Sequence, residues 1–260
     1  MSILSKNNKL LIIALFMLSP FVANATVVEI RTSLGIIEVN LFDNATPETV
    51  ANFLSYIDSG AYASHVVHRS VPGFVIQGGG FLYTGPINAQ ANFALDPVVA
   101  SAQVVNEPEL SNVRGTIAMA KIGGQPDSAT SQWFINLSNS NVSLDTNNGG
   151  FAVFGQVLGD GMQVVDAIAA LSRINGGGAF AEFPVRDINT DTFDEDDVVL
   201  IEDIVVIDRT VVTNSNIVPV RNTSLNQPTT GGNPDSGGGG SIFWLVFIAL
   251  CGIEVRRHFK

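Results

Sequence analysis

The chain holds a single cysteine, Cys251, among its 260 residues, so no disulfide can form within it and its stability must rest on an apolar core. Histidine is scarce, with three in all. His65 and His68 lie three apart in a strand-like stretch, where an odd spacing points two side chains to opposite faces and argues against a metal pair. Basic residues are few as well: 13 Lys and Arg against 24 Asp and Glu, a net charge of −11. With the terminal segments set aside, 8 basic and 23 acidic residues remain, a net charge of −15. Such a surface repels phosphate backbones and excludes nucleic acid as a partner. The glycines at 78–80 and 176–178 fit no phosphate-cradling template. Asp187, Asn189 and Asp191 begin like a calcium loop but lack its glycine and distal glutamate. No cofactor and no metal is expected.

Long hydrophobic runs are missing too. The two longest, 10–18 and 242–253, fall short of the roughly 20 residues that span a bilayer. The first follows Lys6 and Lys9 and ends in Ala23-Asn24-Ala25, the basic, apolar and small-residue parts of a secretory signal. Residues 1–25 are therefore expected to be a signal peptide cleaved after Ala25, which makes the protein exported, to the periplasm or the cell envelope and surface. The second run follows Gly237–Gly240 and precedes Arg256, Arg257 and Lys260. Its twelve residues would cover about 18 Å of a core about 30 Å thick. Residues 241–260 resemble a GlyGly-type bacterial sorting tail, with a plain single-pass anchor as the alternative. Either would bring the protein to the envelope membrane. Residues 210–240, rich in Asn, Thr, Pro, Gly and Ser without a period, read as a flexible linker.

Between the ends, 26–209 read as one domain. Period-two alternation predicts strands over 27–32 and 36–42 around a Ser33-Leu34-Gly35 turn. Thr46 as N-cap and Pro47 at the first helical position start a helix with Val50, Phe53, Leu54 and Ile57 on one face and Gly60 at its C-terminal end. Strands are expected at 65–70, 74–77, 116–121, 133–137, 151–157 and 198–208, and a second helix over 160–171 with Val164, Ile168 and Leu171 on one face. Many strands and two distant helices argue for an antiparallel barrel with a helix at each open end. The loops 78–107 and 172–197 exceed ordinary connection lengths. Asn136-Leu137-Ser138 has the form of a glycosylation sequon, but sits on a strand expected to be buried.

The stretch 67–79, V-H-R-S-V-P-G-F-V-I-Q-G-G, reads as strand, Pro-Gly turn and strand. It places an arginine, a phenylalanine and a glutamine close together, which suits a greasy ligand with a carbonyl to hold. It resembles the cyclophilin signature, roughly F-H-R-x-x-P-G-F-x-x-Q-G-G. Two further blocks match in order: R-G-T-I-A-M-A-K at 114–121 with S-A-T-S-Q-W-F-I-N at 128–136, and N-G-G-F-A-V-F-G at 148–155 followed by Gly161-Met162. The resemblance spans about 26 to 208.

The resemblance implies a mainly β fold, a closed eight-stranded antiparallel barrel capped by two helices; the protein is expected to act as a monomer on proline-containing peptides and unfolded exported proteins. It implies peptidyl-prolyl cis-trans isomerase activity, with a non-catalytic proline-peptide binding module or envelope chaperone as the alternative. By position, Arg69 matches the catalytic arginine and Gln77 the glutamine that orients it. Phe74, Met119, Phe134 and Leu144 match walls of the proline pocket, Ala120 and Gln132 the substrate groove, and Phe151 a pocket position where histidine is common. Ser143 stands where tryptophan is frequent, which predicts weak cyclosporin sensitivity. Val75 stands where methionine is frequent, and Lys121 replaces an asparagine or arginine. His68, beside Arg69 but on the opposite strand face, reads as a packed structural residue.

Overall fold

The structure is a computed structural model that describes residues 26–88, 93, 95–210, 214 and 216–225. The expected signal peptide, most of the expected linker and the whole sorting tail lie outside these residues. Among those described, no helix is long and apolar enough to cross a membrane.

Nine of the eleven strand segments of the central sheet form its barrel: β1 Val27–Thr32, β2 Gly35–Leu41, β3 His65–Val66, β4 Arg69–Val71, β5 Val75–Gly78, β6 Thr116–Met119, β7 Trp133–Asn136, β8 Val153–Val157 and β9 Leu200–Asp208. All pairings are antiparallel. β9 pairs with β1, β1 with β2, β2 with β8, β8 with β6, β6 with β7, β7 with β5, and β5 with β4. β3 pairs with the other side of β9. β3 and β4 are halves of one chain segment that changes partner midway. The Val67 N–H donates to the Val199 carbonyl (3.0 Å) and the next N–H, that of His68, to the Gln77 carbonyl (3.1 Å). This switch closes an eight-stranded ring, and on its other side β3 pairs with Phe81–Leu82, which pairs with Asp96–Pro97.

Strand alternation sorts the apolar residues onto two faces. Ile30, Ile37, Val39, Ile76, Ile117, Met119, Trp133, Ile135 and Phe154 point to the interior cluster. Two helices, α1 Pro47–Asp58 and α2 Gly161–Ala170, add Val50, Phe53, Tyr56, Val165 and Ile168 to it. Val75, Ala118, Phe134 and Val153 point the other way, into a second cluster with Leu110, Leu144 and Phe151. Gly79 permits the turn after β5. Its φ is +74°, and a Cβ there would lie 2.5 Å from the Ser131 carbonyl and 2.8 Å from the Trp133 ring, so only glycine fits.

Four local expectations shift. The α1 face is rotated: Thr49, Val50, Phe53 and Tyr56 are buried, while Leu54 and Ile57 are only partly so. Thr46 gives α1 no side-chain cap. The carboxylate of Glu107 does this work instead, accepting from the Thr49 N–H (2.8 Å), the Thr49 hydroxyl (2.7 Å) and the Glu48 N–H (3.3 Å), which meets orphan donors at the positive end of the helix dipole. The long loops 78–107 and 172–197 are not bare connections. They meet in a third apolar cluster containing Ile87, Leu95, Phe180, Phe183 and Phe193, with Phe81 packed on Phe180 at 4.7 Å between ring centroids. Finally, residues 216–225, inside the segment read as a linker, pack on the domain: the Ser111 N–H donates to the Val220 carbonyl (2.8 Å) and the Asn222 N–H to the Glu109 carbonyl (2.9 Å). Their composition has no period because they pair with a loop rather than filling a core.

Candidate active site

Arg69, Gln77, Phe134 and Ala118 stand directly opposite one another across β4, β5, β7 and β6. Residues facing each other across antiparallel strands project to the same side. One row therefore carries the guanidinium, the glutamine amide and the aromatic ring. Arg69 is buried at 7% exposure, and its Nη1 donates to Gln77 Oε1 at 3.4 Å. Gln77 Nε2 donates onward to Gln132 Oε1 at 2.8 Å. Gln132 lies over Gly80, where a Cβ would sit 2.9 Å from the Gln132 side-chain amide carbon. The chain holds the guanidinium by one fork and leaves other N–H donors of the fork available.

Burial lowers the Arg69 pKa from its ordinary value, and the negative charge of Glu182 works against that shift. The group stays cationic, since arginine is not deprotonated in proteins. Glu182 comes from the long loop after α2. Its carbonyl accepts from the Ser70 N–H (2.8 Å) and its carboxylate pairs with Arg173 (3.3 Å).

The apolar slot lies beside this row. Phe134 and Phe151 meet edge to face, 5.7 Å apart at 75°. Leu144 is fully buried in the same cluster, and Phe74 and Ala120 pack against it, partly exposed. Leu144 sits on a 3-10 helix, Asn139–Asp145. Ser143 beside it is exposed, so no large side chain roofs the slot at that position. Met119 is a correction: it faces Trp133 across β6 and β7 and belongs to the interior cluster. As the neighbour of Ala118 and Ala120 it must point away from them, so it is no wall of the slot. Val75, two residues before Gln77 and so on its face, is the residue of β5 that joins the slot-side cluster. Strand alternation alone could have found it.

Lys121 is more than a replacement for asparagine or arginine. The structure buries it at 6% exposure, with Nζ donating to the carbonyls of Asn148 (3.0 Å) and Gly150 and lying 4.9 Å from the centre of the Phe151 ring. Burial pushes its pKa down to about 8, partly offset by Asp127. His68 is fully buried, edge-on to Phe81 at 4.9 Å, in keeping with a structural role. Asn136 of the apparent sequon is fully buried too, and donates to Asn112 and Thr116. Among the described residues no group of three or more His, Cys, Asp or Glu is placed to hold a metal ion. The Asp187 carboxylate instead accepts from the backbone and side-chain amides of Asn189.

The family model described as cyclophilin type peptidyl-prolyl cis-trans isomerase/CLD matches residues 27–190. The chain belongs to the cyclophilin-type peptidyl-prolyl cis-trans isomerases. It is similar to the peptidyl-prolyl cis-trans isomerase of Acinetobacter baylyi, 42% identical over 147 residues that cover 55% of this chain and 72% of that one. The peptidyl-prolyl cis-trans isomerase A of Dickeya dadantii is 40% identical over 59% of this chain and 76% of its own, and isomerase B of Escherichia coli 36% over 62% and 94%. Among solved structures, a cyclophilin type isomerase of Cryptosporidium parvum aligns with a TM-score of 0.50 at 25% identity, over 72% of this chain and 99% of that one. The isomerase fold expected from the sequence is thus present, mainly β with a strongly curled antiparallel sheet.

Proposed function

We propose that this isomerase turns Xaa-Pro bonds with Arg69 as its catalytic group, on exported client proteins. A prolyl bond is already near balance, with trans favoured by about 0.5–1 kcal/mol. It turns slowly because resonance sets a barrier of about 18–20 kcal/mol. No covalent bond breaks, so neither a nucleophile nor a general base is needed. The work is to hold the ring and favour the twisted amide. The slot of Phe74, Val75, Phe134, Leu144 and Phe151 offers apolar contact to the ring and excludes water. Arg69, held by Gln77, donates to the substrate carbonyl and to the proline nitrogen as that nitrogen loses conjugation. A preorganised charged donor stabilises the twisted state more than either planar one. Ala120 and Gln132 line the path of the peptide backbone.

The observation that carries this reading is the cross-strand row that sets a buried guanidinium on the same face as Phe134, with Gln77 between them. The test is isomerisation of a proline tetrapeptide by the full chain and by Arg69→Ala. We expect a loss of about a hundredfold or more, since one such donor is worth a few kcal/mol. Equal rates would remove Arg69 from the reaction.

Export to the envelope rests on the signal-like start and the glycine, apolar and basic tail. Intact-mass spectrometry of the native protein tests it. A soluble species that keeps both ends would defeat it.

A further inference from the structure

The slot wall that bears Leu144 is a 3-10 helix outside the barrel, with no strand ladder to hold it. The eight-stranded ring is complete at Asp208. The chain nevertheless returns to the molecule after the ring, and it does so at this wall. Ile217 packs against the cluster of Phe134, Leu144 and Phe151. Leu110 and Arg221 form an antiparallel bridge, flanked by the Val220 and Asn222 backbone bonds to Ser111 and Glu109.

The side-chain amide of Asn222 then donates twice, to the carbonyl of Asp145 at 2.8 Å and to that of Pro108 at 3.0 Å. Asp145 is the residue after Leu144, and it is held from its other end as well. Its buried carboxylate accepts from the Ser111 hydroxyl (2.5 Å), the Asn112 N–H (2.7 Å) and the Asn112 amide (3.1 Å). The Asn112 amide also donates to the Phe151 carbonyl (3.1 Å). Earlier in the same 3-10 helix, Asn141 donates to the Phe74 carbonyl (2.7 Å) and to Asn136 (2.7 Å). The backbones carrying Phe74, Leu144 and Phe151 are therefore tied to one polar network, and Asn222 supplies the link that comes from beyond the ring.

We propose that residues 216–225 brace the proline slot, and that Asn222 is a positioning residue that sets the Leu144 wall for substrate binding. The proposal rests on the isomerase reading given above. Removing the amide leaves the Asp145 and Pro108 carbonyls without this donor, so the wall shifts and the ring is gripped less well, while Arg69 keeps its place in the barrel ladder. The cost should fall on peptide affinity rather than on the rate of turning once bound.

The test uses the full chain with three substitutions. Asn222→Asp keeps the shape of the side chain but sets an acceptor against two carbonyls; Asn222→Ala removes the donor without repulsion and serves if the first fails to fold. Arg221→Ala removes only an exposed pair with Glu109, at 3.5 Å, which surface geometry makes nearly neutral. The readouts are the Kd of a proline tetrapeptide, its exchange rate when bound, and the Leu144 methyl resonances. We expect Kd to rise about fivefold for Asn222→Ala, the scale of one net hydrogen bond, and further for Asn222→Asp. The bound exchange rate should change little, the Leu144 methyls should shift, and Arg221→Ala should match wild type. Unchanged Kd and unshifted methyls in folded Asn222 variants would overturn the brace. Wild-type protein that turns over no faster than Arg69→Ala would overturn the catalytic reading instead, and the methyl shifts would still decide the brace.

Discussion

Acid should destabilise this protein well before its carboxylates protonate, because His65 and His68 are buried as neutral rings. Both are fully enclosed. Burial lowers the pKa of His65 to about 4, with the Tyr62 carbonyl working the other way. Burial, then the Arg69 charge beside it and His65, lowers that of His68 to about 3. The unfolded chain takes up protons on these rings near pH 6.5 and the folded chain does not. Between about 6.5 and the folded values the unfolded state therefore binds more protons, and stability falls as pH falls. From pH 7 to pH 5 each ring should cost about 2 kcal/mol, about 4 kcal/mol for the pair, at 1.36 kcal/mol per unit. That is a large share of the roughly 5–15 kcal/mol of an ordinary domain. Urea unfolding at the two pH values measures it, and ring-proton NMR titration assigns it. His68→Leu should remove about half of the slope, since leucine cannot take up a proton. Equal stability at pH 5 and 7, or ring resonances titrating near 6.5 in the folded protein, would refute the argument.

Glu107→Ala should lower stability by about 1 kcal/mol, the usual value of a helix cap, read as a lower urea midpoint; no change would mean that water caps α1 equally well. Lys121→Met should cost about 1–3 kcal/mol by leaving the Asn148 and Gly150 carbonyls without their donor. It should also weaken peptide binding by loosening the wall around Phe151, whereas a melting temperature and peptide Kd like those of wild type would show that the clamp is idle.

Much of the site was legible because it obeys the strand period. Arg69, Val75, Gln77 and Phe134 fall on one face for the same reason that His68, Ile76 and Met119 fall on the other. The error over Met119 came from carrying a pocket role by position while the alternation of its own strand pointed elsewhere. The start of α1 at Pro47 and the turn at Gly60 were also local matters, set by backbone dihedrals a few residues hold between them.

Sequence alone thus determined the period of each strand, the helix that Pro47 opens, the acidic net charge, and the guanidinium beside a greasy slot. The fold decided what meets across long stretches of chain: Glu107 on the first turn of α1, Glu182 along β4, Asn222 under Leu144. The first joins residues 58 positions apart and the last residues 77 apart. A hydrogen bond needs its two atoms within about 3 Å, and no local periodicity states which distant loop will bring them there; only the closed path of the barrel does.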